Sequence, residues 1–172
     1  MRITDILRRS LLQSLKRLEG RALEQKPTNE LNEMLENMKP GELDDYIKKN
    51  RQYLADNEKV FYYYMKNVLD DKSIKLKDVY IQAGLSDSYG GQIIRMEKHT
   101  KNRDVILRLC IAGHFSWNET NRALKLYGLS ELYSKDPRDA CLILEINNRI
   151  FDIDEINDDL TEHGFSTLSK DE

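Results

Sequence analysis

Few side chains that could do acid–base, nucleophilic or metal chemistry stand near one another in this sequence. His99, His114 and His163 fall in loops or at helix ends, without a cysteine or carboxylate at metal-ligand spacing. Cys110 and Cys141 each lie inside an apolar run, which favours buried free thiols over a disulfide. The sequence contains no nucleophile elbow, phosphate-binding glycine loop or Cys–His pair. We therefore expect no enzyme, no cofactor and no metal ion.

Two other stretches imitate binding motifs without completing them. The run DIDEINDD (152–159) alternates carboxylates like a calcium loop, but it lacks the central glycine and the terminal glutamate, so a capped and solvated helix face is favoured. The run FYYYMKN (61–67) could stack nucleic-acid bases on its rings. We favour a helix that buries Phe61, Tyr62 and Met65 and leaves Tyr63 and Tyr64 partly exposed.

The charge of the chain is distributed unevenly. Its formal net charge is −3, yet residues 73–134 carry 9 basic and 6 acidic side chains, and residues 135–172 carry 4 basic and 11 acidic ones. A basic middle segment beside an acidic tail indicates an anionic partner for the middle. Basic residues interrupt the N-terminal apolar runs and the other apolar segments are too short to span a bilayer, so we expect no secretory signal, no membrane contact and a cytoplasmic location.

The elements that position these residues are predicted to be helices throughout, which makes the fold class all-α. Apolar residues recur at three- and four-residue steps, from Ile3 to Ala22 onwards, and alternating β-branched patterns are absent. Gly84 is expected to end one helix in a left-handed conformation. The expected helix caps are Asn57, Asn102, Ser116 (with Glu119 completing a capping box), Asp136 and Asp152. The helix of residues 103–112 should bury a stripe at positions 105, 106, 109, 110 and 112.

Two short helices joined by a glycine turn, followed by two more helices, form the most specific pattern in the chain. The stretches VYIQAGLSDSYGGQIIRMEK and KNRDVILRLCIAGHFSWNETNRAL resemble the DNA-binding domain of the lambda-repressor-like (XRE-type) helix-turn-helix transcriptional regulators. The flanking stretches are similar to a bacterial subgroup in which this domain is embedded in a larger helical body. The resemblance covers roughly residues 28–168 and is most specific between residues 79 and 112.

The resemblance also shows where this chain departs from the family. Gly84 fills the glycine position of the turn, and Ala83 and Leu85 supply the apolar residues around it. The family places a small residue opposite a valine or isoleucine of the recognition helix, whereas this chain has Tyr80 and Gly90 at those positions. We interpret the pair as a volume exchange, in which a large ring packs against a residue without a side chain.

The family register implies which residues would touch DNA. It turns one face of the helix at about 87–96 outwards, including Gly91, and on that face Gln92 suits adenine and Arg95 suits guanine or a phosphate. The base-contacting candidates are Ser86, Asp87, Ser88, Gln92 and Arg95. The phosphate-contacting candidates are Lys77, Lys98, Lys101 and Arg103. Asp87 either accepts a hydrogen bond from cytosine or merely stabilises the helix N-terminus.

We therefore expect a sequence-specific, double-stranded-DNA-binding regulator of transcription, with a protein-interaction adaptor on a degenerate helix-turn-helix scaffold as the alternative. The expected organisation is an N-terminal helical extension (1–57), the DNA-binding domain (58–130) and an acidic C-terminal helical pair packed on the body (131–172). The N-terminal helix would dock on its own body or form a homodimer, as regulators on paired half-sites do. A protein partner on that helix or on the acidic C-terminal helices stays open.

Overall fold

The structure, a computed structural model, describes residues 28–51, 54 and 59–170. These residues form helices and connecting turns without a β-strand, which confirms the all-α fold class. No helix among them is long and apolar enough to cross a membrane. The chain divides into two compact units, Met1–Asn57 and Glu58–Glu172. The predicted helix of residues 3–22 and the predicted cap Asn57 lie outside the described residues.

The first unit contains two short helices in its described part. Helix α1 (Thr28–Asn37) is followed by a 3-10 turn (Pro40–Glu42) that leads directly into α2 (Leu43–Asn50). The backbone N–H of Lys39 donates to the Glu42 carboxylate at 2.7 Å, which fixes the turn. Pro40 thus begins the short turn that separates the two helices.

Polar side chains cap the N-termini of five of the seven helices described in the second unit. Five residues accept a hydrogen bond from a backbone N–H of the first turn that they precede: Ser86, Asn102, Ser116, Asp136 and Asp152. Four of these caps, all except Ser86, were predicted from the sequence. The helices are α3 (Val60–Asp71), α4 (Leu76–Ala83), α5 (Asp87–Ile94), α6 (Arg103–Ala112), α7 (Trp117–Tyr127), α8 (Pro137–Asn147) and α9 (Ile153–Glu162).

Helix α6 lies at the centre of the second unit. Every residue from Val105 to Ala112 is buried, because α4, α7 and α9 all pack against this one helix. The predicted stripe was therefore too narrow, since Leu107, Arg108 and Ile111 are buried as well. Cys110 is buried here as a free thiol, as predicted, and burial raises its pKa.

The aromatic run of α3 faces inwards more than the sequence suggested. Phe61 and Met65 are fully buried, as predicted, and Tyr62 is half-buried. The prediction for Tyr64 was wrong, because α3 packs on α7 and the Tyr64 hydroxyl donates to the backbone carbonyl of Glu119 at 3.1 Å. Tyr63 is 52% exposed.

Two Arg-Asp dipeptides clamp the first turns of α6 and α8 together. The Arg103 guanidinium binds both carboxylate oxygens of Asp139, with 3.0 Å between Nη1 and Oδ2. In the opposite sense, Arg138 donates to both oxygens of Asp104, at 3.1 and 2.9 Å. Asp139 is only 2% exposed and also accepts a hydrogen bond from the backbone N–H of Tyr133, so its charge is well compensated.

A non-helical segment, residues 165–170, closes the second unit over this clamp. Arg138 donates to the carbonyls of Ser166 and Thr167, and Arg108 donates through Nη1 to the carbonyl of Leu168 at 2.8 Å. The backbone N–H of Leu168 in turn donates to the Asn157 side chain at 2.8 Å. We call this segment the C-terminal strap, and its Leu168 side chain is buried in the common core.

Candidate nucleic-acid interface

The junction between α4 and α5 is a tight turn of three residues. Gly84 ends α4 in the left-handed conformation, with φ of 68°, as the sequence predicted. The backbone N–H of Leu85 donates to the carbonyl of Tyr80 at 3.0 Å, and Ser86 then caps α5 by accepting from the N–H of Tyr89 at 3.2 Å. Leu85 is buried, so the turn is anchored in the core between the two helices.

Tyr80 and Gly90 fix how α4 and α5 pack. A Cβ atom added to Gly90 would lie 2.6 Å from Cδ1 of the Tyr80 ring, closer than real Cβ atoms approach a neighbour. Both residues are buried. The predicted contact between a large ring and a residue without a side chain is therefore present, and it leaves α5 lying directly on the ring of α4.

The predicted base-contacting residues lie mainly on the solvent side of α5. Ser86, Asp87 and Ser88 are exposed at its start, Gln92 is half-buried, and Arg95 is exposed just after its end. The hydroxyl of Ser86 is also used as the helix cap. Gly91, predicted to face outwards, is buried.

Arg95 explains why Gly91 is covered. A Cβ atom at Gly91 would lie 2.8 Å from Nη1 of Arg95, so the guanidinium lies over this glycine. The same guanidinium donates from Nε and Nη2 to the two Glu97 oxygens, at 2.8 and 3.0 Å. This bond raises the pKa of Arg95 and lowers the pKa of Glu97. Glu97 is the ion-pair partner of Arg95, and the sequence reasoning missed it although it lies only two residues beyond Arg95.

The loop after α5 carries the predicted phosphate-contacting residues in different surroundings. The Lys98 ammonium lies 5.0 Å from the centre of the Tyr89 ring, and Lys101 is exposed. The backbone N–H of Thr100 donates to the Tyr127 hydroxyl at 3.0 Å, which anchors the loop on α7. The Arg103 guanidinium is bound to the Asp139 carboxylate of α8.

The outer surface formed by α5 and this loop is mixed in charge. Lys77 adds an exposed ammonium group on α4. We call the surface carried by Ser86–Ser88, Gln92, Arg95, Lys98 and Lys101 the α5 surface. Asp87 and Glu97 supply its negative charges, and Glu97 already binds Arg95. The α5 surface offers hydroxyl, amide and guanidinium groups for hydrogen bonds and ammonium groups for an anion.

Neither similarity to known proteins nor a metal-ligand group among the described residues points to a function for this chain. No protein-family model, curated protein or solved structure matches this chain. Within residues 28–51, 54 and 59–170, no group of three histidine, cysteine, aspartate or glutamate side chains is arranged to hold a metal ion.

Proposed function

We propose that the second unit binds double-stranded DNA by placing α5 in the major groove, and that it acts as a regulator of transcription. The observation that carries this proposal is the α4–turn–α5 pair, in which Gly84 and the Tyr80–Gly90 contact press α5 onto α4 and leave a polar face outside. A short helix held on a second helix in this way is the arrangement that reads base edges in helix-turn-helix proteins.

Gln92 and Arg95 carry the proposed base readout. An amide one helical turn before a guanidinium can bind adenine and guanine edges that are close together in the groove. Gln92 is half-buried, so part of its side chain lies against the protein and part is open to the groove. Lys98 and Lys101 then bind backbone phosphates beside the groove, and their contribution falls as salt rises because counterions are released from DNA.

Arg95 must exchange partners for this readout to work. Its guanidinium binds Glu97 in the free protein, and both side chains are about half exposed. Solvent screens an exposed ion pair of this kind, so DNA can displace Glu97 at small cost. Glu97 therefore lowers non-specific affinity slightly and orients Arg95 along the edge of α5.

A second candidate function is supported by the acidic groups of the same surface. Asp87 is exposed at the start of α5, where it would repel phosphates, and Ile81 is 61% exposed on α4. A mixed-charge face with an exposed apolar residue nearby also fits a protein partner. This candidate makes the chain a protein-interaction adaptor.

Binding to DNA at several salt concentrations separates the two candidates. Fluorescence anisotropy with a mixed-sequence DNA pool should show an affinity that falls steeply between about 50 and 200 mM salt. The double variant Gln92→Ala/Arg95→Ala should bind more weakly and lose sequence preference. Lys101→Ala should lower affinity for all sequences alike and reduce the salt slope by about 1.

Lys135→Ala is the matched control, because Lys135 is an exposed lysine that lies outside the α5 surface. It should leave the sequence preference intact and change affinity little. If wild-type protein shows no salt-dependent DNA binding, or if Lys135→Ala weakens binding as much as Gln92→Ala/Arg95→Ala, the DNA-binding proposal fails.

A further inference from the structure

A polar cleft lies behind the α4–α5 turn, away from the residues assigned to DNA. Its volume is about 710 Å³, within the range of small-molecule sites in proteins. Residues from the C-terminal end of α4, the turns after α6 and α8, the start of α9 and the C-terminal strap line it. Gly84 is part of the wall, so the cleft reaches the back of the turn itself.

Arg108 presents a buried guanidinium to this cleft. The residue is 3% exposed and sits on α6, which otherwise buries only apolar side chains between Val105 and Ala112. Its Nε donates to the carbonyl of Ala83 at 2.7 Å and its Nη1 to the carbonyl of Leu168. Its Nη2 donates no hydrogen bond to the residues that the structure describes. Nη2 is not one of the enclosed polar atoms of the described residues, so it is open to the cleft, where an acid group can accept a charge-assisted hydrogen bond from it.

The backbone of the cleft wall is strained at two positions. His114 and Arg149 adopt positive φ angles of 56° and 61°, a conformation that is unfavourable for a residue with a Cβ atom. The same chain uses glycine at the equivalent points after α4 and α7, namely Gly84 and Gly128. Ser73 and Met96 adopt similar angles after α3 and α5, outside the cleft, so the angle alone does not mark a site. His114 and Arg149 both line the cleft.

The side chains of the wall favour an anion attached to a flat ring. The His114 ring stacks on Phe151 with 4.6 Å between ring centres and 11° between planes. Three cationic groups line the cleft, those of Arg108, Arg149 and Lys170, against the carboxylates of Asp152 and Asp154. Asp152 caps α9, at 2.9 Å from the N–H of Asp154, and keeps its negative charge. The three positive groups outnumber the two carboxylates by one.

We propose that this cleft is a binding site for a small organic anion, a carboxylate or phosphate ester carried on a planar ring. The acid group binds Nη2 of Arg108 together with Arg149 and Lys170, and the ring packs along the His114–Phe151 pair. The proposal does not depend on DNA binding, because it uses none of the residues of the α5 surface.

Titration with three ring compounds tests the proposal on the full chain. Benzoate and phenyl phosphate present the two acid groups, and benzamide is a neutral molecule of nearly the same shape as benzoate. In ¹H–¹⁵N spectra, at least one of the two anions should shift the Gly84 amide and the Arg108 Nε–H signals saturably, and benzamide should not. The anion with the lower dissociation constant carries the acid group that the cleft prefers.

Arg149→Gly separates a binding role from a structural one. Glycine relieves the positive φ at this position, so the melting temperature should rise while the dissociation constant of the anion increases about fivefold. Arg108 itself is a poor test position, because its Nε and Nη1 bonds hold Ala83 and the strap. Ser73→Gly is the control, because Ser73 has a φ of 56°, is exposed and does not line the cleft.

Ser73→Gly should raise the melting temperature and leave anion binding unchanged. The proposal is overturned if neither anion shifts the two signals saturably, if benzamide shifts them equally, or if Arg149→Gly binds the anion as tightly as wild type.

Discussion

Two adjacent glycines of α5 lack side chains for different physical reasons. The space above Gly90 is filled by the rigid ring of Tyr80, whose Cδ1 would lie 2.6 Å from an added Cβ atom. The space above Gly91 is filled by the far end of Arg95, a flexible and exposed side chain that can move aside. Both positions are glycines of the same helix, but a methyl group is expected to fit at Gly91 and not at Gly90.

Alanine at each position should reveal this difference. Gly90→Ala should lower the free energy of unfolding by about 1–3 kcal/mol, because the ring and the backbone must separate. Gly91→Ala should be neutral or raise it by up to about 1 kcal/mol, since alanine favours a helix over glycine. Urea unfolding measures both.

A double variant checks the cause of the first effect. Tyr80→Ala removes the ring, so adding Gly90→Ala to it should cost much less than Gly90→Ala costs in the wild type. Additive losses, or a loss at Gly91 as large as that at Gly90, would contradict the packing explanation.

At the scale of elements, α8 and α9 meet through two acidic side chains. Glu145 is buried on α8, and its carboxyl group interacts with that of Asp159 on α9. Burial, and then the neighbouring Asp159 carboxyl group, raise the pKa of Glu145. The folded state therefore binds a proton more tightly here than the unfolded state does. Stability from this group is full at low pH and falls as pH rises from the ordinary glutamate pKa through the raised one.

Glu145→Gln should remove this pH dependence. The amide resembles the protonated acid and can donate to Asp159, so the variant should be more stable than wild type at pH 8 and similar to it at pH 4. Urea unfolding across this range measures the difference. Asp158→Asn is the control, because Asp158 is exposed on α9 and should give no comparable gain at pH 8.

The ends of the helices were predictable because local residues determine them. Asn102, Ser116 and Asp136 cap helices through hydrogen bonds to residues at most three positions away, and Gly84 ends α4 through its own backbone angle. The burial of α6 on all sides was not predictable from its stripe, because it depends on which helices surround it. The matching Arg-Asp dipeptides at 103–104 and 138–139 were visible in the sequence, but only the structure pairs them.

In the candidate interface, too, the features set by local sequence were predictable and those set by distant partners were not. The exposure of Ser86, Asp87 and Ser88 follows from their place at the start of α5. The burial of Gly91 and the direction of Arg103 depend on partners that helical periodicity does not reveal, namely Arg95 and Asp139. Whether the α5 surface binds DNA stays a prediction.

At the scale of the whole molecule, the C-terminal strap is part of the core of the second unit. Leu168 is 3% exposed, so Leu168→Ala should lower the free energy of unfolding by about 2–5 kcal/mol, as it does for leucines inside a core. Thr167→Ala is the control, because the Thr167 side chain is exposed and only its carbonyl is bound. It should change stability by less than about 0.5 kcal/mol. Equal losses in the two variants, measured by urea unfolding, would show that the strap does not act through Leu168.

The bond from Arg108 to the Leu168 carbonyl also has a consequence for the order of events during protein synthesis. The two residues are 60 positions apart, so a growing chain carries the arginine for roughly 3–12 s, at about 5–20 residues per second, before its acceptor exists. Until then a desolvated guanidinium would have no acceptor at Nη1, and α6 cannot settle between its neighbours without burying it. The surroundings of α6 are therefore complete only after α7, α9 and the strap have all been synthesised.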